Sequence, residues 1–412
     1  MPAETYRADI DGLRAVAIAL VVGGHAFPRL LPSGFIGVDL FFVISGYLIT
    51  SVILRDRDQG TFSFLKFYAH RFRRLAPAMV VVLLTVWMLG RSILFSDEFE
   101  NLGVHLMGGG TYTSNFVLWQ EAGYFDVDSN LKPLLHLWSL GVEEQFYLVW
   151  PAVLIFWISR SWSLALLWAL LAFSSFVENI FSPSIEAFYL LPSRFWELMA
   201  GCGLALLDRR RPSVASSGTR NMASISATAL LIVGLCAIDP RQPYPHWWAL
   251  VPVLSATLFI FAGPTAFINR EVLSSRLFVF IGLCSYSLYL WHWPLLSYLK
   301  ISARGPTTEF QAIVAVVIAL ILAILTTRFV ERPVRQFTFV KLPAAARHRA
   351  FVLSGIAASV LIFGLGLLTQ RGVLFSAKQT AMADFVRIYS DYNKEFEKLT
   401  RFGRCHVVDE SA

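Results

Sequence analysis

Two ionisable residues interrupt the first hydrophobic segment of the chain. Arg14 and His25 lie eleven residues apart in DIDGLRAVAIALVVGGHAF. That separation is about three helical turns, so the two side chains share one helix face and lie about 16 Å apart along its axis. Ionisable side chains at bilayer depth are rare and count as functional candidates. The spacing therefore predicts a bridge from one membrane surface to near the middle of the bilayer.

Each of these residues also has a structural explanation. Arg14 follows Asp9 and Asp11, which can cap the helix. It is alternatively a basic anchor that extends to lipid phosphates. His25 is alternatively a neutral histidine that bonds to neighbouring backbone. The functional interpretation therefore depends on partners from other segments.

Candidate partners occur in LLHLWSLGVEEQFYLVWP. Four polar residues recur there at spacings of three, four and four, which places them on one helical stripe: His136, Ser139, Glu143 and Tyr147. Glu144 falls on a stripe of leucines, so we expect Glu143 to face a polar interior more readily. Two adjacent carboxylates in a membrane are costly, so at least one should be paired or protonated. A structural ion pair with an arginine of another span, such as Arg194, is the alternative.

Two further motifs carry histidine or clustered arginine. YSLYLWHWP places His292 between two tryptophans, which an interfacial aromatic belt would also explain. FSFLKFYAHRFRRLAPAM carries three arginines close together: Arg71, Arg73 and Arg74. Guanidinium groups bind phosphate bidentately, so this basic helix predicts, with Arg14, a clamp for a polyanionic cytosolic cofactor. Membrane topology alone is the other explanation for the cluster.

The composition indicates that a membrane surrounds these residues. The chain has 412 residues, of which 56% are hydrophobic and 15% are charged. Apolar runs of about 18 residues or more indicate spanning helices. About eleven such runs occur, at 12–31, 35–54, 76–95, 135–157, 162–180, 191–207, 222–238, 248–267, 276–299, 310–330 and 350–369. The predicted fold is therefore all-α, a polytopic transmembrane helical bundle.

Basic residues predict the orientation of this bundle. Lys and Arg concentrate in short cytoplasmic loops, and here they gather in 55–75, 208–221 and 331–349. The pattern predicts a cytoplasmic N-terminus, and an odd number of spans places the C-terminus outside. The net charge of +7 then reflects topology and attraction to the lipid bilayer. Nucleic-acid binding would require a basic domain with interleaved aromatic residues, and the sequence shows no such domain.

The polarity of the chain changes after about residue 370. The segment from there to residue 412 has the pattern of an amphipathic helix followed by an open end. It contains Cys405, whereas the other three cysteines fall within predicted spans. An unpaired cysteine outside the cytoplasm usually has a partner elsewhere, so we expect a further soluble domain, with a free thiol as the alternative.

The motifs together resemble the membrane acyltransferase family three. Arg14 and His25 are followed, in the order of that family, by GFIGVDLFFVISGYLIT, FYAHRFRRLAPA, LHLWSLGVEEQFYLVWP and YSLYLWHWP. The resemblance covers roughly residues 6 to 335. It implies an acyltransferase membrane domain of ten spans over residues 1–338, then a cytoplasmic loop and an additional span over 339–370. Residues 371–412 resemble the periplasmic linker to an SGNH-type domain, which we expect to be missing here.

The resemblance also implies a reaction and a location. Similar proteins take acetyl groups from cytosolic acetyl-CoA and deliver them across the bacterial inner membrane. Members of this subgroup O-acetylate surface polysaccharide, notably the O-antigen of lipopolysaccharide, and relatives modify peptidoglycan. An O-acetyltransferase with a lipid-linked or surface polysaccharide acceptor is therefore the implied function, with no metal.

Residue roles follow from the same resemblance. Four arginines would bind the phosphates of acetyl-CoA: Arg14, Arg71, Arg73 and Arg74. The thioester would reach His25, which would act either as general base or as covalent acyl carrier. Glu143 would orient and charge-stabilise His25, and Glu144 would complete the catalytic set. The acceptor would bind at four further residues: His136, Trp138, His292 and Asp39.

Two other classes of protein would also place histidine and glutamate in a membrane. A proton-coupled transporter of lipid-linked sugars should show matched inverted halves, and the sequence displays no such symmetry. A metal-dependent hydrolase could use the three histidines and Glu143 as ligands, but no HExxH-like pair occurs. The acyltransferase is therefore the favoured prediction.

Overall fold

Helices provide all the regular secondary structure in the described part of the chain. The computed structural model describes residues 6–122, 131–210, 216–303, 307–337 and 343–406. For residues 210 and 393–406 it describes the backbone alone. The helices are α1 Ala8–Ala26, α2 Gly37–Asp58, α3 Phe64–Ile93, α4 Ser96–Gly110, α5 Ser114–Glu121, α6 Leu137–Ser159, α7 Leu164–Phe181, α8 Ser184–Tyr189, α9 Leu191–Arg210, α10 Ser217–Ala237, α11 Leu250–Ala262, α12 Arg276–Ala303, α13 Glu309–Thr326, α14 Arg332–Gln336, α15 Ala344–Gln370 and α16 Ala377–His406. The all-α prediction is confirmed over these ranges.

Every predicted apolar run falls on a helix. Within the described ranges, seven helices are long and apolar enough to cross a membrane: Gly34–Asp58, Phe64–Ile93, Leu164–Phe181, Ser217–Ala237, Arg276–Ala303, Glu309–Gln336 and Ala344–Gln370. The other four runs correspond to α1, α6, α9 and α11. Of these, α11 has only 13 residues, and α1, α6 and α9 carry the charged residues that lower their hydropathy. The count of eleven spans and the orientation of the termini therefore stay predictions.

The helices α1 and α12 pack side by side and run in the same direction. Near one end, a Cβ added at Gly282 would overlap the backbone of Asp11, so only glycine permits this approach. Near the other end, His25 meets His292. Helix α12 thus lies beside α1 along most of its length and supplies a histidine opposite His25.

A second close crossing joins α2 and α9. A Cβ added at Gly46 would overlap the backbone of Leu198, and one added at Gly201 would overlap the backbone of Val43. Small residues at helix crossings let two backbones approach closely inside a membrane. This crossing brings Asp39 of α2 beside Arg194 of α9.

The outer helices present apolar side chains outward. Phe310 on α13 is 74% exposed, and Leu361 on α15 is 73% exposed. Exposed apolar surface of this extent suits contact with lipid. The predicted helix after residue 370 is present as α16. Cys405 lies outside the described side chains, so its predicted pairing stays a prediction.

Candidate active site

A polar cavity opens where five helices meet. Its empty volume is ≈ 740 Å³, which includes space continuous with solvent. The charged and hydroxyl-bearing residues that line it are Arg14 of α1, Ser45 of α2, Arg71 and Arg74 of α3, Ser139, Glu143 and Tyr147 of α6, and Ser285, Tyr286 and Tyr289 of α12. Three of the four predicted phosphate-binding arginines therefore share one space. We call it the arginine cavity.

The guanidinium groups of this cavity are only partly matched by anions. Arg14 lies 3.3 Å from a carboxylate oxygen of Asp11 on its own helix. The Arg71 guanidinium lies over the ring of Tyr147, 4.4 Å from the ring centroid. Nε of Arg74 is buried and has no hydrogen-bond partner among the described residues. Partly buried cations favour anionic partners, so the cavity has the charge and the donors to bind an anion.

Glu143 provides the carboxylate that lines the arginine cavity. Its Oε1 accepts a hydrogen bond of 2.6 Å from the hydroxyl of Ser45. The stripe predicted on α6 is confirmed in part, because Ser139, Glu143 and Tyr147 all line the cavity. Glu144 does not line it. The expectation that Glu143 faces the polar interior more readily agrees with this placement.

Three histidines meet near Tyr289, one helical turn further along α12 than the cavity lining. Nδ1 of His25 lies 3.0 Å from Nε2 of His292, and the two rings are nearly parallel. The ring of His136 lies 5.5 Å from that of His292, centroid to centroid, in a perpendicular arrangement. Trp293 packs edge-on against His25 at 4.6 Å. We call this group the histidine cluster.

The histidine cluster is not arranged as a metal centre. Within the described ranges, no group of three or more His, Cys, Asp or Glu side chains could hold a metal ion. The contacts of His25 and His292 are instead a hydrogen bond and ring packing. The arrangement suits proton transfer or nucleophilic chemistry at an imidazole.

Tyr289 separates the histidine cluster from the arginine cavity. It lines the cavity, while its ring lies 5.4 Å from that of His292 and 5.3 Å from that of His136, measured between centroids. Its hydroxyl donates to the backbone oxygen of His136 at 2.6 Å and lies 2.7 Å from Oγ of Ser139. The two polar regions are thus neighbours with one tyrosine between them.

A second buried charged group lies between α2 and α9. Nη1 of Arg194 donates to Asp39 at 3.1 Å and to Glu197 at 2.6 Å. The hydroxyl of Tyr244 donates to the other oxygen of Asp39 at 2.7 Å. The guanidinium also lies between 5.5 and 5.8 Å from four aromatic ring centroids: Phe42, Trp138, Phe188 and Tyr244. The alternative that Arg194 pairs with Glu143 is therefore wrong, because its carboxylate partners are Asp39 and Glu197.

The predicted site residues separate into groups. The arginine cavity contains Arg14, Arg71, Arg74 and Glu143, and the histidine cluster contains His25, His136 and His292. Two predicted acceptor residues, Asp39 and Trp138, belong instead to the network around Arg194. Arg73 points away from the cavity toward α15, where it lies 5.5 Å from the ring centroid of Phe351.

Sequence reasoning missed two residues that organise the site. Tyr289 lies one helical turn before His292 in YSLYLWHWP, so the spacing of that motif could have indicated it. Ser45 belongs to an apolar helix and carries no such signal. Its role depends on the packing of α2 against α6, which only the tertiary structure supplies.

A short segment outside the long helices is joined to the histidine cluster. The indole nitrogen of Trp293 donates to the backbone oxygen of Lys132 at 2.8 Å. The side chain of Lys132 forms an ion pair of 2.9 Å with Glu121, which also lies 3.3 Å from His105. The residue that packs against His25 is thus tied to α4 and α5 through this segment.

Family comparison assigns a class to this arrangement. Residues 7–328 match the family described as "Acyltransferase domain". The match extends over most of the chain, so the chain belongs to this family of acyltransferases. The predicted family and enzyme class are confirmed.

Three curated relatives extend the comparison. The chain is 30% identical over 398 residues to the peptidoglycan O-acetyltransferase OatA of Listeria monocytogenes, a match that covers 88% of this chain and 63% of that protein. It is 31% identical over 352 residues to the putative O-acetyltransferase SAS0844 of Staphylococcus aureus, with coverages of 80% and 58%. It is 31% identical over 362 residues to the putative peptidoglycan O-acetyltransferase YrhL of Bacillus subtilis, with coverages of 81% and 56%. The chain spans about three fifths of the length of these relatives. No solved structure matches it significantly.

Proposed function

We propose that the chain transfers an acetyl group from acetyl-CoA to a hydroxyl group of a bacterial cell-surface polysaccharide. The observation that carries the proposal is the adjacency of two regions across Tyr289. The arginine cavity has the positive charge that the phosphates of acetyl-CoA require, and the histidine cluster has an imidazole suited to acyl transfer.

The proposed donor site comprises three arginines rather than the four of the sequence prediction. Arg14, Arg71 and Arg74 line the cavity, where each can donate to phosphate oxygens. Arg73 is left out because it lies toward α15. His25 lies eleven residues beyond Arg14 on the same helix, about 16 Å along the axis. A pantetheine arm of about that length would carry the thioester from the arginines toward the histidine cluster.

In the proposed acetyl transfer, His25 acts as general base. His25 takes the proton of the acceptor hydroxyl while the hydroxyl oxygen attacks the thioester carbonyl. The new C–O bond forms and the C–S bond breaks, with its electron pair going to sulfur. The imidazolium then returns the proton to the thiolate. The products are the acetyl ester and free coenzyme A, and His25 is again neutral.

The proposed topology places the donor and acceptor on opposite sides of the inner membrane. Basic segments predict a cytoplasmic N-terminus, so Arg14 would lie toward the cytosol, where acetyl-CoA is present. The end of α1 that carries His25 would then lie toward the periplasm, and the tail after α15 would be periplasmic. The seven apolar helices support the membrane location.

The names of the relatives favour peptidoglycan over O-antigen as the acceptor class. OatA of Listeria monocytogenes is a peptidoglycan O-acetyltransferase, and YrhL of Bacillus subtilis is a putative one. Both polymers present sugar hydroxyls, so the same chemistry serves either. Acetyl ester measured separately on purified peptidoglycan and on lipopolysaccharide, with and without the gene, would identify the acceptor.

The proposal is tested by His25→Ala. We expect this change to abolish acetyl ester formation while the protein accumulates and inserts normally, because it removes the group that would deprotonate the acceptor. His348→Ala is the matched control, since His348 packs against His70 rather than within the histidine cluster. Retained acetylation in His25→Ala cells at matched protein levels would contradict the proposal.

A further inference from the structure

A directed chain of hydrogen bonds ends at His25. Nδ1 of His292 lies 2.7 Å from the backbone oxygen of Tyr289 and 3.2 Å from that of Leu288. A carbonyl oxygen only accepts, so Nδ1 of His292 carries a proton. On the opposite edge of the same ring, Nε2 of His292 lies 3.0 Å from Nδ1 of His25.

The direction of these hydrogen bonds determines which nitrogen carries the proton on each ring. His292 is fully buried, with 0% of its surface exposed. A charged imidazolium is costly in such surroundings, and Lys300 lies over the ring of Trp293, 5.4 Å from its centroid, which adds positive charge nearby. Neutral His292 with a proton on Nδ1 has a lone pair on Nε2. His25 must therefore donate its Nδ1 proton to that lone pair, and the lone pair of His25 is then on Nε2.

From this geometry we infer that His292 is a positioning residue for His25 and that Nε2 of His25 is the reacting atom. The inference rests on the proposed function. His292 fixes the ring orientation and the tautomer of His25, and the backbone carbonyls of α12 fix His292 in turn. The partner atom of a histidine determines which of its nitrogens is available.

This inference replaces two roles predicted from the sequence. His292 was expected to bind the acceptor, but its two ring nitrogens are occupied by the α12 carbonyls and by His25. Glu143 was expected to orient His25, but its contacts are with Ser45 and the arginine cavity. The group that contacts the proposed base is therefore the neutral imidazole of His292, which backbone carbonyls hold in place, rather than a carboxylate.

The test compares two substitutions of the same residue. His292→Gln keeps an oxygen that can accept the Nδ1 proton of His25 and an amide that can donate to the α12 carbonyls. His292→Leu removes both. We expect His292→Leu to lower kcat by about 100-fold or more, which is the contribution of a well-placed general base. The KM for acetyl-CoA should change less than about twofold, because its proposed contacts lie in the arginine cavity. His292→Gln should recover at least about tenfold of the lost kcat.

Controls distinguish this inference from the proposed function. His348→Leu removes a histidine that also packs against another histidine, and it should leave kcat unchanged. Full turnover in folded His292→Leu would overturn the inference alone, and so would equal losses in folded His292→Leu and His292→Gln. Full turnover in His25→Ala would instead overturn the proposed function. Thermal melting of each variant in detergent establishes that it is folded.

A second measurement needs no substitution at His292. Nitrogen chemical shifts from solid-state NMR distinguish a proton on Nδ1 from one on Nε2 in histidine-labelled protein. The spectrum of His25→Ala identifies the signal of His25 by difference. We expect the Nδ1–H tautomer for His25 at neutral pH. A signal from the Nε2–H tautomer would overturn the inference whether or not the His292 variants fold.

Discussion

The arginine cavity and the network around Arg194 both bring opposite charges together between helices, but the cavity is partly open and the network is buried, and they differ in how far their cations are paired. Arg194 is 1% exposed and lies between two carboxylates that are 0% exposed. In the cavity, three guanidiniums share the lining with one carboxylate. The charge of Arg194 is thus paired with carboxylates of the protein, although Nε of Arg194 and Oε2 of Glu197 form no hydrogen bond among the described residues. The cavity instead has more cations than anions in its lining, and an outside anion can use them.

This difference separates a structural from a functional role for buried charge. A buried arginine that is paired with carboxylates of the protein needs no outside anion, and removing one member of such a group is strongly destabilising. A partly buried cation without a matched anion is retained at a cost in stability, and ligand binding explains that cost. Burial and charge alone, which are what the sequence reveals, do not distinguish the two.

The largest expected effect is the loss of folded protein on breaking the Arg194 network. Arg194→Leu leaves Asp39 and Glu197 buried without their cation, which should destabilise the protein by about 3–5 kcal/mol. We expect sharply reduced accumulation in the membrane and a lower thermal unfolding midpoint in detergent. Normal accumulation with normal melting would show that the network is not a structural element.

A smaller effect, on donor binding rather than on folding, is expected from the cavity arginines. Each charge-assisted contact contributes about 1.5–3 kcal/mol, so Arg71→Ala/Arg74→Ala should weaken acetyl-CoA binding at least tenfold and flatten its salt dependence. Calorimetry in detergent at several ionic strengths measures both. Arg73→Ala is the matched control, since it removes a neighbouring arginine outside the cavity. Equal affinities in the double variant and the control would show that these arginines reflect membrane topology and do not bind the donor.

The smallest expected effect distinguishes the two adjacent glutamates. Glu143→Gln should lower acetyl transfer by about tenfold, because it replaces the charged acceptor of the Ser45 hydroxyl with a neutral one. Glu144→Gln should have a clearly smaller effect, because Glu144 does not line the cavity. Both rates are compared at matched protein levels. Equal losses, or the reverse order, would show that the cavity-facing carboxylate has no special role.

Helical periodicity explains how much of this site could be predicted. The stripe on α6 and the shared face of Arg14 and His25 depend only on spacing within one helix, and three of the four stripe residues do line one cavity. Pairings between helices depend on packing that spacing does not encode. The sequence therefore could not indicate that Asp39 pairs with Arg194 or that His292, rather than Glu143, contacts His25. Arg73 is the opposite case, because two residues along one helix turn its side chain about 200° from that of Arg71, so spacing alone could have excluded it from the cavity.

Helix α1, which packs in parallel against α12, fixes one distance within the proposed site. The donor end and the reacting end of the proposed site both lie on α1, so their separation is fixed by a count of residues. Relative movements of other helices leave it unchanged. An inserted residue between Arg14 and His25 would lengthen their axial separation by about 1.5 Å and rotate His25 by about 100° away from His292. Under the proposed function, the enzyme would thus select its donor by the length of the arm between phosphate and thioester. The number of residues between Arg14 and His25 would set the length that fits.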